Sequence, residues 1–207
     1  MLDLPKLSVF VPTFMLVSLT PGMCMMLSLS LGMSIGVRRT LWMMAGELVG
    51  VGLVAVSAVI GAATLMLSYP TLFTALKLAG GAYLVYLGIA MWRASGESAL
   101  PAANRDGDAL RPAGLITQGF VTAIANPKGW AFFIALLPPF LNRDNALAPQ
   151  LLVLVGAILT IEFCSLLVYA GGGHAVRSFL REPRNVVRLN RVAGSLMMAV
   201  GVWLALG

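Results

Sequence analysis

Apolar positions along this chain come in blocks instead of alternating with polar ones. Six blocks can be drawn: Val9 to Met33, Leu41 to Leu67, Leu72 to Met91, Leu115 to Pro138, Leu151 to Ala170 and Leu189 to Leu206. A helix needs about 20 apolar residues to cross about 30 Å of hydrocarbon, and each block is near or above that length. The pattern predicts an all-α integral membrane protein with six transmembrane helices. Blocks two and three are divided only by Ser68-Tyr69-Pro70, where proline suits the first turn of the next helix. Thr20-Pro21-Gly22 breaks the first block, and Asn126-Pro127-Lys128-Gly129 opens or breaks the fourth.

The most polar stretch, Ala94 to Arg111, is rich in Ser, Gly, Pro, Asn and Asp and reads as a hinge. It divides the chain into residues 1–93, a linker at 94–114, and residues 115–207. Each part outside the linker holds three blocks, an early proline break and one glutamate in its second block, Glu47 or Glu162. The third blocks also echo one another, Lys77 to Gly81 beside Arg191 to Ser195, and Trp92 beside Trp203. An odd number of spans per half forces opposite orientations. The expectation is therefore two inverted three-helix repeats, an arrangement common in secondary transporters.

Composition strengthens the membrane reading. The 207 residues are 59% hydrophobic and 11% charged, whereas a soluble domain carries about 25% charged residues. The formal charge of +6 does not point to nucleic acid, because the charges lie between apolar blocks and form no patch. With loops on alternating sides, ten arginines (Arg38, Arg39, Arg93, Arg105, Arg111, Arg177, Arg181, Arg184, Arg188, Arg191) fall on one side. Only Lys6 and Arg143 fall on the other. The positive-inside rule then sets both chain ends outside the cytoplasm. Pro21-Gly22 leads on into more apolar sequence and not into a cleavage site, so the first segment is expected to stay attached.

Candidate chemistry follows from the breaks and the buried charges. Pro21 and Pro127 lack a backbone donor, so they interrupt or kink a helix, and the freed carbonyls need protein, water or ligand as partners. A simple proline kink is the competing reading at either site. Glu47 and Glu162 are costly in hydrocarbon unless neutralised, hydrated or paired, which suits proton exchange; the alternative is an interfacial or purely structural role. Lys128 either meets a substrate carboxylate or one of the glutamates, or snorkels to the interface. Asn126 can cap the restarting helix or supply an amide to the cavity, and Thr20 can cap at the first break. The candidate substrate and coupling residues are thus Thr20, Pro21, Gly22, Glu47, Asn126, Pro127, Lys128 and Glu162.

Cys24 and Cys164 fall inside apolar blocks and read as buried thiols, though a membrane thiol-redox carrier using the two is an alternative. His174, alone after three glycines, reads as a helix-end residue and not a metal ligand. No phosphate loop, nucleotide fingerprint or nucleophile elbow is present, so neither an enzyme nor a cofactor is implied. Gly46, Gly50, Gly80 and Gly88 can serve packing within one bundle or between copies, which leaves a homo-oligomer open.

Several runs together resemble the lysine exporter (LysE/RhtB) family of amino-acid exporters. They are Leu19 to Gly22, Gly32 to Arg38, Lys77 to Gly88, Gln118 to Phe120, Asn126 to Lys128, Leu136 to Phe140 and Leu189 to Gly194. The resemblance implies a bacterial inner-membrane bundle that exports amino acids or close derivatives, by exchange for protons. One departure stands out. The family commonly continues Pro-Gly with a second proline and a polar Asn or Asp, where this chain has Met23 and Cys24.

Overall fold

The computed structural model describes residues 4–68, 70–93, 110–137, 140–141 and 145–206. These form eight α-helices: α1 Leu4–Leu19, α2 Met23–Ile35, α3 Val37–Ser68, α4 Pro70–Arg93, α5 Pro112–Ile124, α6 Pro127–Leu136, α7 Leu147–Arg181 and α8 Pro183–Leu206. Four of them open on proline, whose missing donor costs nothing in a first turn. Gly36 has φ of 81°, a left-handed conformation that lets α2 turn directly into α3. Most of the expected linker (residues 94–109, with Arg105), Tyr69, the Pro138-Pro139 pair and Arg143 lie outside the described residues.

The expectation of six transmembrane helices in two inverted three-helix repeats is corrected. Among the described residues only two helices are long and apolar enough to cross a membrane, Val37–Gly61 of α3 and Leu147–Gly173 of α7. A third span exists only if Phe10–Leu19 and Met23–Ile35, bent by 56°, are counted as one. The physical reason is that the proline breaks do more than kink. At Asn126 the fourth block splits into helices of 13 and 10 residues, about 20 and 15 Å long, each short of the hydrocarbon thickness. In α8 the first half carries Arg184, Arg188 and Arg191.

Packing is set by glycine. A Cβ on Gly46 would lie 1.9 Å from the Ile116 carbonyl oxygen, and one on Gly119 would lie 2.0 Å from that of Met43, so α3 and α5 touch backbone to backbone. Gly88 and Gly194 do the same for α4 and α8, and Gly32 brings α2 onto α7 at Ala170. Gly46, Gly50 and Gly88 are thereby engaged within the chain. Large apolar side chains such as Leu152 (76% exposed) and Tyr86 (64%) cover the outside, as a lipid-facing surface requires.

The interior divides into two hydrophobic clusters. One gathers Phe10, Phe14, Val17, Val51, Val54, Phe132, Phe133, Phe140 and Ile158. The other gathers Cys24 through Leu27, Met43, Met44, Leu115, Leu166 and Tyr169. The first helix break and both glutamates fall where one cluster gives way to the other, and the second break lies within the phenylalanine-rich cluster.

Candidate functional site

Glu47 sits two residues from the centre of the Val37–Gly61 span, and Glu162 two residues from the centre of Leu147–Gly173. Both are buried, at 0% and 8% exposure. Ser18 Oγ donates to Glu162 Oε2 at 2.5 Å, fixing that carboxyl beside the end of α1. Among the described residues the two buried Glu47 oxygens have no hydrogen-bond partner, although Glu47 lies within interaction range of Glu162 and Cys24. A carboxyl buried this deep is costly unless it is neutralised or paired.

The carbonyls released at the end of α1 are nearly all answered. Thr20 Oγ1 donates back to the Leu16 carbonyl at 2.8 Å, Lys128 Nζ reaches the Val17 carbonyl at 3.0 Å, and Tyr169 Oη donates to the Leu19 carbonyl at 2.8 Å. Thr20 therefore closes α1 and does not cap α2. Gly22 occupies the α2 cap position without a side-chain bond, so among the described residues the first amides of α2 are left uncapped. Pro21 forms the turn between them.

The second break separates α5 from α6. Asn126 caps α6, its Oδ1 accepting from the Lys128 amide at 3.1 Å, and Pro127 takes the first helical position. Asn126 Nδ2 also points to Cys24 Sγ at 3.8 Å, and Trp130 Nε1 closes the end of α5 by donating to the Ile124 carbonyl at 2.9 Å. Lys128 is half-buried with its Nζ 3.9 Å from where a Gly22 Cβ would stand. It bridges the two breaks and does not snorkel away from them.

Between these groups lies a cavity of about 60 Å³, lined by Ser18, Thr20, Gly22, Cys24, Asn126, Lys128 and Glu162 on its polar side and by Phe14, Val17, Val51, Val54, Phe132 and Phe133 on its apolar side. One ordered water needs about 10–15 Å³ on this measure, so the space takes several waters or a small solute group. Of the predicted residues, Thr20, Gly22, Asn126, Lys128 and Glu162 line it. Glu47 stands behind the wall, one turn from Val51, and Pro21 and Pro127 shape the backbone.

Three contributors escaped the sequence reading. Ser18 adjoins the Thr-Pro-Gly run, and Tyr169 lies seven residues, two helical turns, beyond Glu162 and so on its face. The third is the phenylalanine wall, which carried no distinguishing sequence signal. Cys164, expected to be buried, is exposed on α7, while Cys24 is buried; both thiols are free. The thiol-carrier alternative has no support in this arrangement.

Interrupted helices around a mid-span polar cavity are an arrangement that secondary transporters use to bind small solutes. The chain belongs to the LysE type translocator family, whose model matches residues 15–207. It is 32% identical to an uncharacterised membrane protein of Vibrio cholerae over 93% of each chain. It is 30% identical to the homoserine/homoserine lactone efflux protein of Salmonella typhimurium, over 93% of this chain and 92% of that one. With the leucine efflux protein of Klebsiella pneumoniae it shares 26% identity over 90% and 88% of the two chains. No solved structure matches the chain. Family membership makes the protein a multi-pass secondary transporter of the bacterial inner membrane that exports small molecules, and not an enzyme.

Proposed function

We propose that the chain exports amino acids or closely related zwitterions in exchange for protons, with the cavity between the two helix breaks as the binding site. The observation that carries this reading is the opposed charge around one small space. Lys128 and the uncapped amides of α2 suit a substrate carboxylate, while Glu162, with Glu47 behind it, suits an ammonium. A proton and a substrate ammonium then compete for the same carboxyls, so loading one releases the other. That competition is the coupling. The efflux activities of the Salmonella typhimurium and Klebsiella pneumoniae relatives favour substrates of this size.

The test is efflux from cells preloaded with a mixture of amino acids, comparing the intact protein with a Glu47→Gln, Glu162→Gln double variant at matched membrane abundance. The reading expects one or a few amino acids to leave faster with the intact protein and not with the variant. Identical pools in both cells, for every amino acid, would reject it.

A further inference from the structure

We infer, building on that export reading, that the cavity is two-ended and selects zwitterions with a short, uncharged aliphatic side chain. The polar end is a thin layer at the breaks. Within it Ser18 is bound to Glu162, Thr20 to the Leu16 carbonyl, and Asn126 to the Lys128 amide and Cys24. These groups are committed to the protein, and the remaining charges match the two ends common to every amino acid. Among the described lining residues no charge beyond Lys128 and Glu162 faces a substrate side chain.

Beyond that layer the cavity enters the phenylalanine-rich cluster. Phe14 lies one turn from Ser18 along α1, Phe132 one turn from Lys128 along α6, and Val51 one turn from Glu47 along α3. All three helices thus lead from the charged layer into the same apolar wall. The rings of Phe14, Phe132 and Phe133 stand 5.6 to 6.0 Å apart by centroid and close its far end. Val51 and Val54, 8% and 1% exposed, complete it. A side chain directed there meets only carbon. A hydroxyl or charge would lose its water without gaining a partner, and an aromatic ring would collide with the closed phenylalanines.

Exchange across vesicles reconstituted with the full chain tests this, using radiolabelled leucine outside and unlabelled leucine, valine, homoserine, lysine, aspartate or phenylalanine inside. The expected result is leucine or valine driving label uptake at least about tenfold faster than homoserine, lysine, aspartate or phenylalanine at equal concentration. Val51→Thr, nearly isosteric but carrying a hydroxyl, should narrow the leucine-to-homoserine ratio by about tenfold, with Val54→Thr as the second variant on the same wall. Homoserine or lysine matching leucine in the intact protein would overturn the selectivity while leaving amino-acid export standing. An unchanged ratio in both threonine variants would overturn the assignment of the apolar end. No uptake of labelled leucine with any amino acid inside would overturn the selectivity, and no uptake when labelled homoserine, lysine, aspartate or phenylalanine replaces it outside would overturn the export reading as well.

Discussion

Gly119→Ala is the sharpest test of how the carboxyl of Glu47 is held in place. The added methyl would stand 2.0 Å from the Met43 carbonyl oxygen and 2.9 Å from the Glu47 amide, both on α3. Ordinary contact begins at 3.4 Å, so the two helices must part locally by about 1.4 Å, and the obstruction is backbone that cannot swing aside. Overpacking of this kind costs about 1–3 kcal/mol, against which alanine regains at most about 1 kcal/mol of helix propensity. The net loss is about 0–2 kcal/mol, and about 1–3 kcal/mol relative to a glycine-to-alanine change that gains the same propensity without a clash; it falls on the turn of α3 that carries Glu47. Gly156→Ala supplies the comparison, because Gly156 is exposed on α7 and a Cβ there meets nothing within 4 Å. Thermal unfolding in detergent should show Gly119→Ala clearly less stable than Gly156→Ala. Efflux at matched abundance should fall in Gly119→Ala alone. Equal melting and equal efflux in the two variants would refute the backbone contact between α3 and α5.

Three further outcomes follow from the site. Glu162→Gln keeps an acceptor for Ser18, so membrane abundance should hold while export drops at least about tenfold in a radiolabel efflux assay. Tyr169→Phe keeps the buried ring but removes the donor to the Leu19 carbonyl, and should lower stability by about 0.6–1.7 kcal/mol as read by chemical or thermal unfolding. Cys164→Ser changes an exposed side chain and should leave export within about twofold of the intact protein, whereas a dithiol relay would lose all activity.

The helix breaks were legible because proline and glycine act locally: Pro127 starts α6 and Asn126 caps it by rules that need only neighbouring residues. The glutamates were legible because a charge among apolar residues is conspicuous at any register. Span number was not, since a proline within an apolar run leaves open whether the helix bends slightly or ends. Only the packing of α5 and α6 against α3 decides that it ends. Apolar identity also loses its meaning in lipid. Cys164 and Cys24 sit in equally apolar runs, yet one faces out and one in. The same loss of contrast hid Phe14 and Phe132 as a cavity wall. The Tyr169 bond to Leu19 spans 150 residues of sequence, a distance at which local pattern carries no information.

The most direct test of the account is amino-acid transport by the purified chain in vesicles under an imposed pH gradient, without membrane potential, for the intact protein and for the Glu47→Gln, Glu162→Gln pair. The account predicts that the gradient alone drives the zwitterion uphill against the proton flow, and that the paired substitution abolishes this while the protein remains folded. Transport that ignores the gradient, or that the paired substitution leaves untouched, would contradict the claim that these two carboxyls exchange protons for substrate.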